Sequence, residues 1–170
     1  TTTVAVLATD ILIGVAIAVG LSVIDLFARV ARPHDAVQGK VPGLAGLHDI
    51  DDWDGATTIP GLVIYRYDAP LCFANAENFK QRALAAIEAE RVAVEWFVLN
   101  TEAIIEVDIT AVDMLEELRQ ELADRGITFG LVRMKQDLSL QLMRSQFFNH
   151  IDPAHIFATL PMAIAGFEDR

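Results

Sequence analysis

"IPGLVIYRYDAPLCFANAENFKQRAL", residues 59–84, changes its periodicity once, and that change sets the fold. Gly61–Tyr67 is rich in β-branched and aromatic residues, and Asp68-Ala69-Pro70 closes it, which predicts a strand. Leu71-Cys72-Phe73 is a short second piece. Asn75 then stands where an N-cap belongs. Over 76–89 the residues Phe79, Ala83, Ala86 and Ile87 recur at helical spacing. One strand feeding one helix is the unit of an α/β layer.

The same unit recurs downstream. Val94–Leu99 reads as a strand that Ile104-Ile105 continue, and "VDITAVDMLEEL", residues 107–118, opens the next helix. That helix spans 111–125, with Val112, Leu115, Leu118 and Leu122 as its apolar stripe and Gly126 ending it. Ile127–Met134 is a further strand, and 136–148 and 160–168 are further helices. Strands separated by helices predict an α/β fold with largely parallel pairing.

Upstream of residue 40 the material is different. From Thr3 to Ile24 only Asp10 is charged, and 22 helical residues would reach about 33 Å, a bilayer core. Asp10, Gly14, Ala18 and Ser22 recur every fourth residue, so small and polar groups share one face, as in a helix packed among other membrane helices. A signal peptide is a poor fit, since no basic n-region precedes the apolar run and no small-residue cleavage site succeeds it. Arg29 and Arg32 put positive charge at the exit and Pro33 breaks the helix, so the remainder of the chain is expected on the cytoplasmic side. The expected organisation is a membrane end over 1–30, a linker over 31–42 and a folded domain over 43–168. The chain opens on Thr-Thr-Thr without an initiator Met and is read as a piece of a longer protein.

Charge agrees with this division. The formal net charge is -11, and the first 40 residues cancel, so the excess belongs to residues 41–170. So acidic a surface disfavours nucleic acid and anionic lipid. A single cysteine, Cys72, excludes an internal disulfide and suits a reducing compartment.

Familiar chemistry is missing. No phosphate loop, G-x-G-x-x-G or serine nucleophile elbow is present, and the scattered histidines with one cysteine make no zinc finger. The acidic run "HDIDDWDG", residues 48–55, fails the calcium-loop pattern, since counting from Asp49 puts Asp54 where Gly is needed and Pro60 where Glu is needed. No nucleophile, base and orienting group can be assembled, so catalytic residues and a metal site are not expected.

The order Pro60-Gly61, Asp68-Ala69-Pro70, Phe73-Ala74-Asn75-Ala76-Glu77 and Asp108-Ile109-Thr110-Ala111-Val112-Asp113, behind an apolar helix with a basic exit, resembles the C-terminal end of SulP-type sulfate permeases. There a last membrane helix leads into a cytoplasmic STAS domain. The resemblance implies a mixed, mostly parallel sheet flanked by helices, and a regulatory or interaction domain of an anion transporter at the cell membrane. It also implies the rest of the transporter chain as partner, and leaves a homodimer and a cytoplasmic protein partner as expectations. Anti-sigma-factor antagonists share the fold, and a soluble phospho-regulated binding protein is the alternative. Their phosphorylated Ser comes directly after the Asp, whereas here Ile109 stands there and Thr110, one residue on, is the displaced phosphoacceptor candidate. The residues themselves favour capping: Thr110 with Asp113 resembles a capping box with Asp in place of Glu, and Asp108 lies near the positive end of the helix dipole. Some STAS domains have been proposed to bind nucleotides. That resemblance makes Phe73, Asn75, Asn78, Asp108 and Thr110 the expected contacts for weak GTP or ATP binding with Mg²⁺. No cofactor is required.

Overall fold

The computed structural model describes residues 2–170, with side chains from Ile11 onward. It divides into two compact units, with the division after Arg32. In the first, α1 (Thr2–Ala31) is one continuous helix. Among the described residues, Ile11–Ala31 is the one helix apolar and long enough to cross a membrane, with a mean hydropathy of 2.5 and nothing in that unit burying it. Ser22 donates to the carbonyl of Ala18, and Arg29 pairs with Asp25 one turn earlier at 2.9 Å. The side chain of Asp10, part of the expected small and polar face, lies outside the described residues.

The second unit holds strands β1 (Asp35–Gly39), β2 (His48–Asp49), β3 (Leu62–Tyr67), β4 (Trp96–Asn100), β5 (Thr128–Val132) and β6 (Ile156–Phe157). Its helices are α2 (Ala76–Glu88), α3 (Ile109–Asp124), α4 (Gln136–Arg144) and α5 (Leu160–Glu168). The sheet order is β2-β1-β3-β4-β5-β6. β1 runs antiparallel to both its neighbours, and β3 to β6 are parallel. The sheet is therefore mixed and mostly parallel.

Strand alternation sorts the core into two layers. Val63, Tyr65, Tyr67, Phe97, Leu99, Phe129 and Leu131 face α2, α3 and α4. Leu62, Ile64, Trp96, Val98 and Val132 face α5 through Leu160, Ala163 and Phe167. Every residue of β4 is buried, as a central strand covered on both faces must be.

Four expectations need correction. Residues 31–42 are not a linker: α1 runs to Ala31, and β1 lies inside the sheet in register with β3, from Asp35 opposite Tyr67 to Gln38 opposite Ile64. A strand needs no long apolar run when it alternates, and Ala36 and Gln38 are buried whereas Asp35 and Val37 are less so. Ile104-Ile105 do not continue β4, which ends at Asn100; Ile104 is buried in an irregular loop and Ile105 is exposed. The helix expected over 136–148 stops at Arg144, because Gln146 takes a left-handed backbone (φ 62°) and 147–150 form a 3₁₀ turn. Finally, α3 starts at Ile109 with Asp108 as its N-cap, two residues before the expected start.

Candidate functional site

The C-terminal ends of β3 and β4 feed the loops that start α2 and α3, so those helix starts meet at one corner of the domain. Leu71 and Val107 form a parallel bridge there. The Leu71 N–H donates to the Glu106 carbonyl (3.0 Å) and the Asp108 N–H to the Leu71 carbonyl (3.2 Å).

Asp108 is the hinge pin of this corner. One carboxylate oxygen accepts from the Ala111 N–H (2.8 Å), which caps α3, and the other accepts from the Phe73 N–H (2.7 Å) ahead of α2. A carboxylate at a helix start also gains from the dipole, typically about 0.3–1 kcal/mol. One side chain thus satisfies amides from two segments, and the expected Thr110 capping box does not form. Thr110 is exposed and stands outside the cap. Val107 is tied to a third element, its N–H donating to Gln141 Oε1 on α4 (2.9 Å).

Asn75 occupies the N-cap position of α2 but makes no side-chain capping bond. It is 1% exposed, accepts from the Cys72 N–H (2.9 Å) and donates to the Pro70 carbonyl (3.0 Å), so it folds the 70–75 turn instead. Asn78 accepts from the Tyr67 hydroxyl (3.2 Å). Burial, then the nearby Asp35 carboxylate, push the Tyr67 hydroxyl well above its ordinary pKa. The structure does bring all five expected contacts to one corner. It commits the side chains of Asn75, Asn78 and Asp108 to internal bonds and leaves Phe73 (71% exposed) and Thr110 facing outward.

Ile109, at the position of the antagonists' phosphorylated Ser, is 72% exposed. Beside it a shallow cleft of about 310 Å³ is lined by Val107, Val112, Gln141 and Arg144 among others. A phosphoryl group on Thr110 would meet the Asp108 carboxylate, with the Phe73 and Ala111 amides already occupied.

No three metal-capable side chains converge among the described residues. In the acidic run, Asp49 is buried and paired with Arg66 at 2.7 Å, and His48 meets Trp53 edge-on. Sequence reasoning singles out neither Gln141 nor Tyr67. Gln141 lies 34 residues from the amide it satisfies, and Tyr67 reads locally as one more strand residue.

The STAS domain family matches residues 55–163. A probable sulfate transporter of Mycobacterium tuberculosis is 54% identical over 169 residues, covering 99% of this chain and 30% of that protein. Sulfate transporter 3.1 of Arabidopsis thaliana is 29% identical over 161 residues, covering 89% of this chain and 24% of its own. The chain thus spans less than a third of the length of these curated relatives. Among solved structures, murine Solute Carrier 26 family member A9, an anion transporter in the inward-facing state, superposes with a TM-score of 0.80 at 20% identity over 92% of this chain and 26% of that one. The STAS domain of a SulP transporter from Vibrio cholerae superposes with a TM-score of 0.51 at 20% identity, over 68% of this chain and 89% of that one. At those identities the two structures speak to the fold alone.

Proposed function

The chain belongs to the STAS-domain family, and from that premise we propose that it is the cytoplasmic regulatory module of a SulP-type anion transporter, with sulfate as substrate, joined to the transporter's last membrane helix. The observation that carries this reading is the 54% identity over 99% of the chain, because the match runs through the apolar helix and the domain together. A soluble antagonist has no use for an exposed helix of mean hydropathy 2.5. The module's partner is then the rest of its own transporter, and its role is interaction or gating. Residues 33–170 lie in the cytoplasm in this reading, as the basic exit at Arg29 and Arg32 supports. Limited trypsin treatment tests it. Inside-out vesicles should lose residues 33–170 and intact cells should protect them; a chain recovered in the soluble fraction without detergent would overturn the reading.

A second reading concerns the corner itself. Exposed Phe73 beside Thr110 offers a stacking face for the base of a weakly held nucleotide. Binding of GTP or ATP would need Mg²⁺ to offset the local carboxylates. Titration of the chain with each nucleotide, with and without Mg²⁺, tests this by backbone amide shifts. Shifts confined to 73–79 and 106–114 support it, and none at millimolar nucleotide removes it.

A further inference from the structure

Asp35 begins β1 three residues after Arg32, where the sequence alone suggests a loose link. Its carboxylate is only 12% exposed. One oxygen accepts from the Tyr65 hydroxyl (2.8 Å), on β3, and both accept from Arg82 Nε (3.0 and 3.1 Å), on α2. Tyr65 is fully buried and cannot track a moving partner. The neighbouring backbone is held as well: the Asp68 N–H donates to the His34 carbonyl (2.9 Å). Arg66 then ties β3 to β2 and to the turn after β3, reaching Asp49 (2.7 Å) and Asp68 (2.8 Å). A cavity of about 250 Å³ opens beside this group, lined by Asp35, Tyr65 and Arg82 among others.

We propose that Asp35 is a coupling clasp, fixing the point where the chain enters the domain to β3 through Tyr65 and to α2 through Arg82, so that a displacement of the incoming chain is delivered to α2. This deepens the reading as a regulatory module and rests on it. α2 is well placed to pass a displacement on, because its own start carries Asn75 and its Lys80 pairs with Glu117 of α3 (3.0 Å). Arg82 is 55% exposed, so replacing it removes the bond to Asp35 without emptying the core.

Coupling is shown by a cycle of perturbations, not by proximity. In the full 170-residue chain in detergent micelles, two glycines are inserted between Arg32 and Pro33, with and without Arg82→Gln, and amide exchange is monitored. With the clasp intact, the insertion should change protection of the Lys80–Ala86 amides by about threefold or more; with Arg82→Gln the response should fall below about 1.5-fold. Arg82→Lys should restore part of it, and β4 amides should be unchanged throughout. Equal responses in both backgrounds, or no response with the clasp intact, would overturn the proposal. A chain on the wrong side of the membrane would defeat the module reading while leaving this response measurable, so the two failures are distinguishable.

Discussion

Replacing Asp108 should destabilise the domain far more than replacing Thr110, although Thr110 is the residue the sequence offers as the cap. Asp108→Ala removes the N-cap of α3, worth about 1 kcal/mol (range about 0.5–2). It also removes the bond from the Phe73 N–H to a charged acceptor, typically about 1.5–3 kcal/mol. The expected loss is about 2–5 kcal/mol, which for a domain of this size lowers Tm by roughly 6–20 °C. Asp108→Asn keeps a good cap but has one oxygen for two amides, so about 1–2 kcal/mol should be lost. Thr110→Ala removes an exposed hydroxyl outside the cap and should cost no more than about 0.5 kcal/mol. Urea unfolding in non-ionic micelles reads all three through Trp96, which is buried against Phe157 and Phe167 and becomes hydrated on unfolding. A loss of about 1 kcal/mol or more for Thr110→Ala, with Asp108→Ala within about 0.5 kcal/mol of the unchanged chain, would refute this assignment of the cap.

Gly39→Ala should cost about 2 kcal/mol by chemical denaturation, because a Cβ there would lie 2.6 Å from the Thr57 carbonyl oxygen, which accepts from the Lys40 N–H while the Thr57 N–H donates back to the Lys40 carbonyl. Tyr65 and Tyr67 are the only two tyrosines and both are fully buried, so phenolate absorbance should stay flat above about pH 10 and rise only as the domain unfolds. The sign comes from burial, which holds both hydroxyls above their ordinary value: that stability is complete below about pH 10 and is lost as pH rises further. Arg119, and then His150, hold the Glu116 carboxyl below its ordinary value of 4.5. That contribution is present above about pH 4.5 and fades as pH falls through the lowered value. Glu116→Gln should therefore narrow its stability gap to the unchanged chain on acidification, as a denaturant series at several pH values would record.

Much of this architecture is legible in the sequence because the signals are local. The apolar stripe Val112, Leu115, Leu118 and Leu122 lies on α3 and is buried, and Phe79, Ala83 and Ile87 do the same on α2. β1 escapes a local reading because its pattern is short and includes Gln38, whose side chain is satisfied by Asn100, 62 residues away (2.8 Å). The cap of α3 is misread for a similar reason. A local pattern suggests Thr110 with Asp113, whereas the structure chooses Asp108 because the second amide it satisfies, that of Phe73, arrives from 35 residues upstream. The corner is legible as a place but not as a mechanism: Asn75 is visible as a polar residue before a helix, and only the folded 70–75 turn shows its amide group spent on that turn.

Uptake of radiolabelled sulfate by the full-length protein reconstituted into liposomes tests the transporter assignment most directly. Saturable uptake, competed by unlabelled sulfate and altered when residues 33–170 are removed from a protein that still inserts, is the predicted result. A well-inserted full-length protein that moves no sulfate or other anion, or whose transport is indifferent to loss of the domain, would contradict it.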